Sequence, residues 1–142
     1  MTLLELVVIV AIVGLLITVV VLPLVRFRQQ QALQNSTNAV VAVLNDARTK
    51  TLAAVNNTAY SARIESDRII LFTGTTYSSS ASTNETILFE TPVTGTASFG
   101  TTAVSFARLT GIASTSGIIT LSIPNGTTRT ITISTSGTIT RI

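Results

Sequence analysis

Apolar and polar positions fall into three regimes along the chain. From Leu3 to Val25 nearly every position is apolar, with no period that separates one face from another. A helix that is apolar all round belongs in a membrane or among other helices. The run is long enough to cross a bilayer, which takes about 20 residues at ~1.5 Å each. From Arg26 to about Asn56 the pattern becomes a single stripe. Leu33, Val40, Val41, Leu44, Ala47, Thr51, Leu52 and Val55 recur at spacings of three and four. That spacing predicts a continuing amphipathic helix with one packed face. Asp46 and Lys50 stand four apart, suited to an ion pair on the outer face. Asn56 and Asn57 suit its end. The two regimes together predict a helix of about 55 residues, some 80 Å long.

Beyond residue 58 the period shortens to two. Strands are predicted over 60–65, 68–73, 86–91, 103–109, 118–123, 128–134 and 138–142. Alternation is clearest in Arg129-Thr130-Ile131-Thr132-Ile133-Ser134. Asn125-Gly126 and Ser136-Gly137 mark two hairpin turns. The stretch 74–84, GTTYSSSASTN, reads as a projecting polar loop. The expected organisation is α+β. Residues 1–25 form a hydrophobic transmembrane or filament-core helix, 26–57 an amphipathic helix, and 58–142 a β-rich globular head.

Three residues interrupt the apolar run. Gly14 and Pro23 weaken a helix, and Pro23 also removes a backbone donor. Glu5 is the expensive one, because an acid in hydrocarbon costs about 2.5–3.5 kcal/mol on insertion scales. It either rests at headgroup level without a role, or meets a cation on assembly. The apolar segment holds no cation of its own, so the candidate is the α-ammonium at position 1 of a neighbouring chain. A cleaved secretory signal is the competing reading of this segment. It needs basic residues before the apolar core and small residues after it. Here no Lys or Arg precedes the core, and Arg26, Phe27, Arg28 and a run of Gln follow.

The stretch Thr2-Leu3-Leu4-Glu5-Leu6, continuing apolar through Gly14 to Pro23, resembles the mature N-terminus of a type IV pilin or pseudopilin. The resemblance implies that a prepilin peptidase has removed a basic leader and that Met1 is the N-methylated N-terminus. It implies that Glu5 pairs with the N-terminal amine of an adjacent subunit. It also implies that the backbone between Gly14 and Pro23 can lose its helix in a filament. Pro23 lies one residue beyond the family's usual proline, which shifts that boundary.

The helix end Leu44-Asn45-Asp46-Ala47-Arg48-Thr49-Lys50-Thr51-Leu52 is similar to the H-type minor pseudopilins and their pilus counterparts. So is the later pattern Val104-Ser105-Phe106, Gly111, then Gly117-Ile118-Ile119-Thr120-Leu121. That likeness implies a β-sandwich-like head of two antiparallel sheets without a C-terminal disulfide. It implies a single-pass membrane protein that becomes a surface pilus subunit. Its partners would be other copies in a helical homopolymer, the inner-membrane assembly machinery and the peptidase. Two alternatives stay open: a pseudopilin of a type II secretion system, and a minor pilin that captures DNA through Arg108, Arg129 and Arg141.

Composition narrows the chemistry. The chain has 142 residues with no Cys and no His. Disulfides, thiolate catalysis, Ser-His-Asp units and His-based zinc sites are therefore unavailable. No phosphate-binding GxxxxGK[ST] loop is present. Glu85 and Glu90 lie on or beside one predicted strand, with Asp67 elsewhere, and solvated surface charge is their plainer reading. The expectation is a non-enzyme without metal or cofactor. Net charge is +3 with 11% charged residues, scattered rather than clustered, which gives little footing for nucleic acid.

Overall fold

The computed structural model describes residues 2–100 and 102–142, with the side chains of 18–22 outside the description. Met1, the expected methylation site, lies outside the described residues. A single helix, α1, spans Leu3–Leu52. Its 50 residues give it a length of about 75 Å. It remains helical through Gly14 and through Pro23, which lies inside it.

The two halves of α1 meet different surroundings. Residues Ala32, Leu33, Ser36, Thr37, Val40, Val43, Leu44, Ala47 and Thr51 are buried, one stripe at spacings of three and four. This stripe is more polar than the expected one. Thr37 Oγ1 donates back to the Leu33 carbonyl at 2.6 Å, which satisfies its buried hydroxyl. Ser36 Oγ accepts from the Glu90 N–H at 3.0 Å. Leu52 and Val55, expected on the stripe, are exposed.

The helix also stops earlier than Asn56 and Asn57 suggest. Ala54 turns left-handed at φ 48° and a 3-10 turn, Val55–Asn57, follows. Thr51 fixes this break. Its hydroxyl donates to the Ala47 carbonyl at 2.7 Å and accepts from the Tyr60 N–H at 2.8 Å.

The head contains β1 (Tyr60–Ile64), β2 (Arg68–Thr73), β3 (Glu85–Leu88), β4 (Thr94–Ala97), β5 (Ala103–Ser105), β6 (Gly117–Ser122), β7 (Thr128–Ile133) and β8 (Ile139–Arg141). They form two four-stranded antiparallel sheets, β3-β2-β1-β5 and β4-β6-β7-β8. The two-sheet α+β architecture agrees with the sequence. Both C-terminal turns join paired strands, β6 to β7 and β7 to β8.

Three strand expectations are corrected. β3 ends at Leu88 rather than 91, where Phe89 turns inward and is buried. β5 ends at Ser105 rather than 109, and Leu109 adopts φ 67°, which no strand accommodates. β4 lay in no predicted strand, and it forms by pairing with β6.

The core lies where the helix stripe meets both sheets. α1 touches β1 and β2 of one sheet and β6, β7 and β8 of the other. Leu33, Val40 and Leu44 pack with Ile64, Ile69, Phe106, Ile119, Leu121 and Ile131, each at most 2% exposed. Packing on the head therefore begins near Ala32. The helix N-terminal to it leaves the head as a stalk.

Candidate assembly surface

Fifteen large apolar side chains between Leu3 and Phe27 are exposed, from Leu3 at 82% to Ile9 at 45%. They surround the helix instead of lining one face. Scattered exposed leucines need no explanation, but a continuous apolar surface marks a site that something else covers. Among the described residues no helix is long and apolar enough to cross a membrane. The expected bilayer-length run includes residues 18–22, whose side chains lie outside the description. The described part of the apolar run is Leu3 to Ile17, followed by Pro23, Leu24 and Val25.

At the tip of the stalk, Glu5 has a local partner. The Thr2 N–H donates to Glu5 Oε2 at 3.4 Å, and the Glu5 N–H donates to Thr2 Oγ1 at 3.3 Å. This is a capping box, with an acid in the first turn of the helix where the backbone dipole favours negative charge. The Thr-x-x-Glu spacing carried that signal in the sequence, and it was missed there. The bond to Thr2 does not exhaust Glu5, since an ionised carboxylate accepts up to about four hydrogen bonds. A Cβ added at Gly14 would meet nothing within 4 Å apart from the helix's own neighbouring backbone.

The three arginines considered for DNA capture are not gathered together. Arg141 faces Ile131 across the β7–β8 pair, so Arg129 is its diagonal neighbour. Arg141 Nη1 donates to Asn38 Oδ1 at 2.6 Å. Arg108 donates to Asn57, beyond the far end of the helix. Asn38 and Leu52 are 14 residues apart on α1, which alone separates the two regions by about 21 Å.

The remaining charges mostly pair locally. Lys50 Nζ lies 2.7 Å from Asp46 Oδ2, and the hydrogen bond to Asp46 raises the Lys50 pKa. Arg63 pairs with Glu65 at 3.1 Å, and Arg68 with Asp67 at 2.7 Å. The Arg68 hydrogen bond holds the Asp67 carboxyl below its ordinary value.

Glu85 and Glu90 do not form a catalytic pair. Glu85 lines a groove beside Asp46, while Glu90 accepts from Asn35 Nδ2 at 3.0 Å. Asp46 and Asn35 are 11 residues apart on α1, about 16 Å, well beyond the ~5–10 Å between paired glycosidase carboxylates. Among the described residues no three acidic side chains gather as a metal site.

No family model matches the chain, and no curated protein does. Two crystal structures of the type IV minor pilin FimU from Pseudomonas aeruginosa share its fold. One is 19% identical, with a TM-score of 0.61 over 78% of this chain and 92% of that one. The other is 18% identical, with a TM-score of 0.63 over 82% and 92%. At that identity the likeness is one of architecture: the chain has the fold of a type IV pilin.

Proposed function

We propose that this chain is a structural subunit of a type IV pilus, polymerising through its N-terminal helix. The observation that carries the reading is the stalk. One half of α1 packs on the head, while the other presents an apolar surface on all sides. Each Leu, Ile or Val covered by neighbouring stalks contributes about 1.5–3 kcal/mol, so the fourteen exposed between Leu3 and Val25 supply ample cohesion. Before assembly the bilayer covers the same surface. Glu5 sets the axial register by adding a neighbour's terminal ammonium to the bond it already accepts from Thr2.

The fold shared with minor pilins supports a second reading within the same class, in which this is a minor component rather than the abundant one. A pseudopilin of a secretion apparatus uses the same helix surface. Mass spectrometry of filaments sheared from the native cell surface separates these readings. A dominant chain beginning at N-methylated Met1 identifies the principal subunit, and trace amounts identify a minor one. Absence from every surface filament removes the surface-pilus reading.

A further inference from the structure

The head carries a groove that none of this accounts for. It runs between α1 and β3, the free edge strand of its sheet, with a volume of about 270 Å³. Ala39, Ala42 and Val43 form the apolar part of the helix wall, and Ile87 stands on the strand wall. That volume lies below the ~300–1,000 Å³ of sites for drug-sized ligands, and suits a single inserted side chain. A carboxylate stands on each wall: Asp46 on α1 and Glu85 on β3. Asp46 already holds Lys50, but a carboxylate retains room for a second donor. Among the described residues Glu85 is in no ion pair.

The same chain presents a complementary shape on its stalk. Phe27 is 56% exposed and stands between Arg26 and Arg28. Among the described residues neither arginine has an ion pair. Successive helix positions turn by about 100°, so with Phe27 pointing into a surface the two arginines reach out on either side of it.

We infer that the groove receives Phe27 of a second copy, with Arg26 and Arg28 meeting Asp46 and Glu85 on the opposite walls. This contact rests on the polymerisation reading and adds a specific head-to-stalk contact to it. It also sets a stagger, with a neighbour other than the one whose terminal ammonium meets Glu5. Phe27 of one copy lies level with Val43 of the other, a separation of 16 positions, or about 24 Å along parallel helices. The partner is a second copy because its exposed aromatic and both unpaired arginines match an acidic apolar groove on the same chain.

The test uses full-length protein assembled in its native host. The chain carries p-benzoylphenylalanine at position 27, and sheared filaments are irradiated before peptide mapping. The expected product joins position 27 to a peptide holding residues 39–46 or 85–87 of another copy. Filaments that form but cross-link elsewhere overturn this contact and leave polymerisation intact. If wild-type chains form no filament, the polymerisation reading falls and this contact with it.

Ala42→Cys gives an independent footprint, because the chain has no other thiol. Maleimide should label it in detergent-dispersed monomer and fail to label it in filaments. Equal labelling in both overturns the contact. Glu85→Lys should lower the cross-linked fraction by up to about fivefold at low salt, the scale of one weakly screened ion pair. An unchanged fraction would remove Glu85 from the contact.

Discussion

Glu5 and Thr2 close on each other. The Glu5 carboxylate accepts from the Thr2 N–H at 3.4 Å, and the Thr2 hydroxyl accepts from the Glu5 N–H at 3.3 Å. Two of the helix's four orphan N-terminal donors are thereby satisfied. Thr2→Ala removes the cap and leaves the charge. It should loosen the first turn by about 0.5–2 kcal/mol. Amide exchange in detergent would show faster exchange of the first-turn amides, while filament formation should persist.

Thr51 joins the helix to the sheet. Its hydroxyl accepts from the buried Tyr60 N–H at 2.8 Å while donating to Ala47 at 2.7 Å. Thr51→Val keeps the shape and strands that N–H, which should cost about 1–3 kcal/mol. Thr51→Ser keeps the hydroxyl and should cost less. Thermal unfolding of the full chain in detergent distinguishes the two, and equal losses would deny the hydroxyl its role.

Gly137 cannot carry a side chain. Its φ is +77°, and a Cβ there would meet the Gly111 carbonyl oxygen at 1.9 Å. Gly137→Ala combines left-handed strain of about 1–2 kcal/mol with overpacking of about 1–3 kcal/mol. Gly126 has φ +83° with nothing within 4 Å of a built Cβ. Gly126→Ala should therefore cost only the strain. Matched denaturant titrations should rank the two variants in that order.

Stability of the head should be flat from about pH 5 to 9, because no head side chain ordinarily titrates there: the chain has no His or Cys. The edges follow from two pairs. Hydrogen bonding by Arg68 lowers the Asp67 pKa. Its small contribution is present above the ordinary carboxylate range and lost as pH falls through the lowered value. Hydrogen bonding to Asp46 raises the Lys50 pKa above 10.5. That contribution is complete below 10.5 and lost as pH rises through the raised value. Melting temperatures across the range would show the plateau, and a step near neutrality would contradict it.

Periodicity carried most of the fold. β2 matched its predicted bounds because Ile69, Ile70, Leu71 and Phe72 form a bounded apolar run. The two C-terminal turns were legible because Gly126 and Gly137 supply the positive φ that their hairpins need. β4 was not legible, since Thr-Gly-Thr-Ala has little strand character of its own. Gly95 is there because a Cβ would stand 2.7 Å from the Phe89 ring, a tertiary demand with no local trace. The helix end was misplaced for a similar reason, as Thr51's bond to Tyr60 fixes it from outside the helix. The groove between α1 and β3 joins residues 39 or more positions apart, so no local pattern shows it. The exposed apolar side chains described along the stalk were legible too, since that run is apolar without period.

Glu5→Gln tests the central claim most directly. Gln at this position still reaches back to the Thr2 N–H, so the capping box survives while the charge is lost. The measurement is the quantity of surface filament formed by cells carrying this variant, set against wild type and Thr2→Ala. Register set by a charged carboxylate predicts filaments from Thr2→Ala and a severe loss from Glu5→Gln. Wild-type filament levels from Glu5→Gln would show that Glu5 serves only its own helix, and would contradict the account.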